Sequence, residues 1–439
     1  MSLKLYPYQE LGVKFMRENK KVILADEMGL GKTAQAIMAS EPPVLVIASK
    51  GMKYWWKQEI ERWYDEGSTW IPECDEDVEL SVTSSFTIVH WEVLRLWPNL
   101  RKVKWGTVIP DEAHKAKNRK AQRTKALWAI CRNAERVLLL TGTPIVNQPA
   151  DIWSLLKCLY PKEYTSYWRF FNEYVLASQN PWGGFDIIGV KNREGLLEEI
   201  SDKVLRRTKK SVLPDLPPKV YTVIPIELYP DQVKAYNEMR DYMLTIIEDN
   251  TPVMAPTVLA QITRLRQITV GHGAFTEPSE WPRASAAKLD VLVDYLDDRD
   301  GKTFVVTQFV WAATEAARRL NSRKISAEVL TGATPVEERV ELIERFQEQD
   351  DPKVLCATIQ TGGEGWTLTT ADMIVFLDRP WSPQVVSQAE DRLHRIGQRL
   401  PVQIVSLIAE NTIEDRVEEA LAHKQDIFNG VFGRLKELL

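Results

Sequence analysis

The sequence predicts two α/β lobes, each built on a doubly wound parallel sheet, with a mostly helical insertion around the linker that joins them. Three observations lead there. Short aliphatic runs alternate with helical patterns in each half of the chain, such runs are scarce between the halves, and a proline-dense stretch lies within that gap. Apolar strands without polar alternation, separated by helices, are buried on both faces, which is the signature of a parallel sheet. In the first half they are KVILA (21–25), VLVIAS (44–49), FTIVH (86–90), TVI (107–109) and VLLLTG (137–142). In the second half they are FVVTQF (304–309), AEVL (327–330), VLCAT (354–358), MIVFLD (373–378) and VQIVSLI (402–408). From about Asp151 to Ala287, aromatic and charged residues mix at helical spacing. There LPDLPPK (213–219) reads as the extended crossing, because each proline disfavours helix in the residue before it.

Composition narrows the function classes. At 439 residues, 44% hydrophobic and 27% charged, the chain is long enough for two or three folded domains and is not a disordered polymer. No apolar run approaches the roughly 18 residues of a membrane helix, and the start MSLKLYPYQE lacks a signal-peptide pattern. A non-secreted protein without membrane contact is expected, cytoplasmic or nucleoid-associated, or nuclear in a eukaryote. Cys74, Cys131, Cys158 and Cys356 are scattered without zinc-ligand spacing, so reduced thiols and no structural metal are expected. A net charge of −5 excludes a globally basic nucleic-acid binder. Any such contact is local, with the basic stretch Arg101–Lys125 as the candidate.

Between an aliphatic strand and a helix lies DEMGLGKT: Asp26, Glu27, Met28, Gly29, Leu30, Gly31, Lys32 and Thr33. Glycines there let backbone amides turn toward phosphate oxygens beside a helix N-terminus. Lys32 is expected to bridge the β and γ phosphates of a nucleotide, and Thr33 to hold magnesium. Asp26 stands where the strict phosphate-loop pattern has its first glycine. After the strand TVI comes DEAH, in which Asp111 is a second magnesium ligand and Glu112 polarises the attacking water. Together these point to ATP hydrolysis with Mg2+ as cofactor.

With LYPYQELGVKFM (5–16), TGTPIVN (141–147), LRRTKKSVLPDLPPK (205–219), TQF (307–309), ATIQTGGEGWTLTTAD (357–372) and PWSPQVVSQAEDRLHRIGQ (380–398) in order along the chain, the sequence resembles the Swi/Snf-type branch of the DEAD/DEAH helicase-like superfamily two, in its minimal two-lobed form. The resemblance implies two RecA-like lobes, at 1–150 and 288–439. Protrusions, a basic brace and the linker then fill 151–287. It implies that Gln9 reads the adenine edge, that Gly365 joins the nucleotide contacts, that Gln388 senses the γ-phosphate, and that Arg392 and Arg395 are arginine fingers supplied on lobe closure. Placed at i and i+3, the two arginines are expected on one helix face. Two departures stand out: Pro110 precedes DEAH where an aliphatic residue is usual, which could end the strand early, and Glu364 interrupts the glycine-rich GGEG.

The same resemblance implies double-stranded DNA as partner, gripped through its phosphates by Ser49, Lys50, Thr143, Gln308, Thr331, Thr358 and Thr361. Such contacts position the protein without reading sequence, as a translocating motor requires. Trp366 and Trp381 are expected to pack in the core. The family pattern runs from Tyr6 to a closing helix at 412–428 with no appended targeting module, so targeting is expected from a separate protein partner or from DNA structure. The reading is a monomeric, duplex-translocating ATPase that does not separate strands. The alternatives are a strand-separating helicase and a non-catalytic ATP-dependent clamp.

Overall fold

A computed structural model describes the chain except residues 1–3, 65–66, 146–148, 180–184, 249–254, 272–284, 363–365 and 416–439. The described residues fall into two compact units, one within Met1–Asp215 and the other within Leu216–His423. In the first, the strands are β1 (Lys21–Leu24), β2 (Val44–Ala48), β3 (Thr69–Trp70), β4 (Phe86–His90), β5 (Thr107–Pro110), β6 (Arg136–Leu140), β7 (Val175–Gln179), β8 (Phe185–Val190) and β9 (Val204–Leu205). The second contains β10 (Lys219–Ile226), β11 (Lys302–Thr307), β12 (Ala327–Leu330), β13 (Val354–Thr358), β14 (Ala371–Phe376) and β15 (Val402–Ala409).

Seven strands pair in the order β3-β4-β2-β5-β6-β1-β9 and six in the order β10-β15-β14-β11-β13-β12. Every pairing in the two sheets is parallel. All ten expected aliphatic runs are strands of these sheets. Alternation along each strand builds a core on both faces: Ile23, Leu45, Val108 and Leu139 face one way, and Leu24, Val46, Ile109 and Leu140 the other. The second sheet repeats this with Val305 and Val375 against Phe304 and Ile374. Burial on both faces accounts for the continuous apolar runs.

The stretch 151–287, expected as one mostly helical segment, is shared between the units at Asp215 and Leu216, inside the proline-dense crossing. It also contains the antiparallel hairpin β7–β8 and the strands β9 and β10. These strands are there because both sheets have an edge to cover. Ile23 and Leu24 of β1 pair with Val204 and Leu205 of β9, and β10 pairs along its whole length with β15.

Lys288 is fully buried in the second unit. Its ammonium donates to both Glu414 carboxylate oxygens at 2.7 Å and to the Leu377 carbonyl at 2.8 Å. Glu414 also accepts from the Thr269 hydroxyl and the Ala409 amide, each at 2.8 Å. All three ammonium protons therefore have acceptors, which offsets the desolvation of a buried lysine. Lys288→Met strands the Glu414 carboxylate and is expected to lower the stability of this unit by ~3–5 kcal/mol in urea denaturation, with Glu414→Gln added in cis recovering most of it. A loss within the few tenths of a kcal/mol typical of surface changes would remove the pair as a fastening of the fold.

Candidate functional site

The loop between β1 and the helix Lys32–Ala39 has Gly29 at φ +81° and Gly31 at φ +70°, the left-handed backbone that favours glycine. Lys32 Nζ donates to the carbonyls of Asp26 at 2.8 Å and Glu27 at 3.3 Å. The Gln9 amide donates to the Leu30 carbonyl at 3.1 Å, and a side chain on Gly31 would run into it. Gln9 is thus seated on the loop. Thr33 lies in the first turn of the following helix.

The Asp26 side chain is turned away from the loop mouth. It is fully buried and held by Arg207, whose Nε donates to Oδ1 at 2.9 Å while NH2 reaches Oδ2. Arg207 also donates from its backbone N–H to Oδ1 at 3.1 Å and from NH2 to Gln35 Oε1 at 2.7 Å. Gly12 is where this cluster needs space, since a Cβ there would strike Gln35 and Arg207. Next to it, Arg206 NH1 donates to the carbonyls of Ala25 and Gly142 at 3.1 Å each, and the Lys209 amide donates to Glu27 Oε2 at 2.7 Å. The brace read as a prelude to the crossing is therefore the scaffold of the glycine loop between β1 and the following helix. Asp26 can offer a phosphate only its backbone.

Asp111 follows β5 directly. Two indoles fix it: Trp56 Nε1 donates to Oδ2 at 3.0 Å and Trp91 Nε1 to its carbonyl at 2.9 Å. Burial and the neighbouring Glu112 charge push its carboxyl up to about 6, with the Trp56 indole and the Lys32 ammonium acting the other way. An acid whose charged form is disfavoured in this way is suited to a cation, so the donor set fits Mg2+. Glu112 has φ +51°, an unusual backbone for a non-glycine residue. His114 Nδ1 lies 3.2 Å from both Glu112 Oε2 and Thr141 Oγ1. Thr141 in turn accepts from the Thr143 amide at 3.1 Å. DEAH and TGT are thus one hydrogen-bonded unit. The loop reaches it too, because a Cβ on Gly142 would lie 2.9 Å from Met28 Cγ and 3.7 Å from Lys32 Nζ.

Pro110 does not end its strand early on the β2 side, where it pairs with Ile47 and the Asp111 amide donates to the Ile47 carbonyl at 2.8 Å. Alternation turns its missing donor toward β6, and there the pairing stops at Val108. Ser49 accepts from Lys115 Nζ at 2.6 Å, and Lys50 is exposed beside it at the end of β2. The basic stretch is partly committed elsewhere, with Arg101 donating to the Leu94 carbonyl and Arg119 stacked 4.2 Å from the Tyr167 ring centre.

In the second unit, Gln308 is tied to the buried Asp378, its amide and side chain donating at 2.9 and 3.0 Å, and Arg266 holds the same carboxylate at 2.9 Å. Thr358 and Thr361 are buried, 3.0 Å apart through their hydroxyls, while the Thr331 amide donates to Thr334. The hydroxyls of Thr358 and Thr361 thus serve the fold. Trp366 and Trp381 pack against the core as expected. Gly365 and Glu364 lie outside the described residues, as do Val146, Asn147 and the closing helix beyond Asp415.

The expected common helix face for Arg392 and Arg395 is corrected. The helix Pro383–Glu390 contains Gln388 but ends before both arginines. Lys219 Nζ holds Glu390 and Asp391 at 2.9 Å each, Leu393 is sunk into the core, and the Leu368 amide takes the Arg392 carbonyl at 2.9 Å. That carbonyl is lost to helix continuation, and the two arginines instead ride on successive tight turns.

A phosphate loop and a paired acid on parallel sheets define the class, a two-unit helicase-like ATPase core. The family model for the SNF2-related domain matches residues 8–273, more than half the chain, and the helicase conserved C-terminal domain matches 287–397. The chain belongs to the SNF2-related family. It is 31% identical to the DNA annealing helicase and endonuclease ZRANB3 of Bos taurus, over 99% of this chain and 41% of the bovine protein. It is 32% identical to an uncharacterized ATP-dependent helicase of Mycoplasma pneumoniae, over 96% of this chain and 41% of that protein. The chain thus spans about two fifths of the length of these curated relatives. A Sulfolobus solfataricus SWI2/SNF2 ATPase core in complex with dsDNA aligns at 28% identity over 98% of this chain and 94% of that one, with a TM-score of 0.47. No described helix is long and apolar enough to cross a membrane.

Trp56 and Trp91 escaped sequence reasoning, and Arg206 and Arg207 entered it only as members of the basic brace, with no role at the loop. A buried acid in a phosphate loop was the one signal that called for a cation such as Arg207. Arg207→Ala is expected to weaken ATP binding about tenfold or more in equilibrium titration, equivalent to about 1.4 kcal/mol, with Asp26→Asn milder because no bare carboxylate remains buried. Parental affinity in Arg207→Ala would show that the pair does not set the loop.

Proposed function

We propose that this chain is a DNA-dependent ATPase that translocates on double-stranded DNA without separating its strands. The observation that carries the ATPase reading is the meeting of Lys32, Gly142 and Asp111 at the carboxyl ends of β1, β6 and β5, the edge where open parallel sheets bind ligands. Lys32 and the loop amides hold the β and γ phosphates. Thr33 and Asp111 would hold Mg2+, which when bound neutralises charge building on the phosphates. Glu112, held beside His114, takes up the proton of the attacking water. Gln388, Arg392 and Arg395 are assigned to the γ-phosphate, so that turnover requires residues of both units.

Lys32→Ala and Glu112→Gln should both abolish hydrolysis, the first by weakening nucleotide binding and the second with nucleotide still bound. Nucleotide titration beside a turnover assay separates the two. Parental turnover in either variant would remove the assignment.

For the track, Ser49, Lys50, Thr143, Gln308 and Thr331 at strand carboxyl ends support phosphate contact, with Thr358 and Thr361 contributing backbone amides. The DNA annealing helicase named among the relatives agrees with such a substrate. The motor is taken to work as a monomer. ATP turnover is expected to rise with duplex DNA irrespective of sequence and to fall steeply with salt, because released counterions drive such binding. Triplex displacement without release of the paired strand is the matching transport assay. Efficient unwinding of a forked duplex, or equal stimulation by RNA, would contradict the proposal.

A further inference from the structure

On the first unit, a cavity of about 510 Å³ opens among the helix Lys53–Trp63, the edge strand β3 and the end of β4. That size suits a small organic ligand. Lys53 and Lys57 line it from one helix face, four residues apart, with Glu73 as the one carboxylate in the lining. Tyr54, Trp70, Trp97 and His90 supply ring surfaces, with Tyr54 57% and Trp70 37% exposed. Burial and the nearby Lys50 charge draw the Lys53 ammonium below the usual lysine range, against the pull of Glu73. An anion beside it would relieve that cost. The mouth adjoins Ser49 and Lys50 in the chain, the residues already assigned to DNA phosphates, yet nothing in the hydrolytic site uses these groups.

Paired cations beside open aromatic faces are how proteins grip unpaired nucleotides: the phosphate meets the ammonium groups, and the base stacks on a ring. An acidic peptide would satisfy the lysines and leave the rings without a role. We propose that this cavity binds one unpaired nucleotide, its phosphate on Lys53 and Lys57 and its base against Trp70, as a second nucleic-acid site apart from the duplex contacts. The proposal rests on the reading that the chain engages DNA.

The test is fluorescence anisotropy of labelled (dT)6 titrated with the full chain, alongside ATP turnover with blunt duplex. Saturable binding is expected, weakened roughly tenfold by Trp70→Ala, as the loss of one stacked base gives. Lys53→Glu should weaken it similarly, and Tyr54→Ala, an exposed helix position that folding tolerates, should also reduce it. Duplex-stimulated turnover is expected to be unchanged in all three. The proposal is overturned if the parent does not bind (dT)6, if the three variants bind it as the parent does, or if a glutamate-rich peptide displaces it in a competition that Trp70→Ala does not alter. Failure of duplex stimulation with (dT)6 binding and its variant losses intact would overturn the translocase reading and leave the cavity assigned.

Discussion

A carboxylate in a loop proposed to bind phosphate is electrostatically perverse unless something neutralises it, and in this chain the buried pairing of Asp26 with Arg207 does so. Much of the proposed nucleotide site depends on that pair. Arg207 is delivered by a two-residue strand on the sheet edge, its NH1 reaches the Tyr8 carbonyl at the start of the first helix, and its NH2 meets Gln35 on the helix that follows the loop. One guanidinium therefore ties together the segment bearing Gln9, the loop bearing Lys32 and the brace. Breaking a buried pair by removing one partner costs ~3–5 kcal/mol, far more than an exposed pair contributes, so the loop shape is strongly determined.

The second constraint is topological. In a parallel sheet all strands end at the same edge, so residues distant in sequence arrive there together without long loops. Lys32, Ser49, Asp111 and Thr143 follow β1, β2, β5 and β6 in the first unit, and Gln308, Thr331, Thr358 and Thr361 stand at or just beyond the ends of β11, β12 and β13 in the second. Buried polar networks lock those ends. Asp378 binds Thr307, Gln308 and Arg266, and the Lys288–Glu414 pair reaches the adjacent Leu377 carbonyl.

Strands buried on both faces were legible because their apolar runs are continuous, as in VLVIA at β2. The edge strands were not. β9 is two residues long, too short for any period, and β10 carries Pro225 and mostly exposed side chains. The nucleotide motifs were legible as chemistry, since a lysine after glycines and paired acids after a strand have few other uses. Their supports were not, because Arg207 and Trp56 lie 181 and 55 residues from the acids they hold. Periodicity also misled at Arg392 and Arg395. The spacing suits a helix, but Lys219 and the core position of Leu393 draw the chain into turns, and nothing local in the sequence announces either anchor.

The central claim is that hydrolysis prepared by Lys32, Asp111 and Glu112 in one unit needs the arginines of the other. Single-turnover ATP hydrolysis by the full chain, compared with Arg392→Ala and Arg395→Ala under saturating duplex DNA, tests it most directly. The account predicts a fall of roughly 10³ in rate, the scale of arginine fingers, with ATP affinity nearly unchanged. Parental hydrolysis rates in both variants would contradict it.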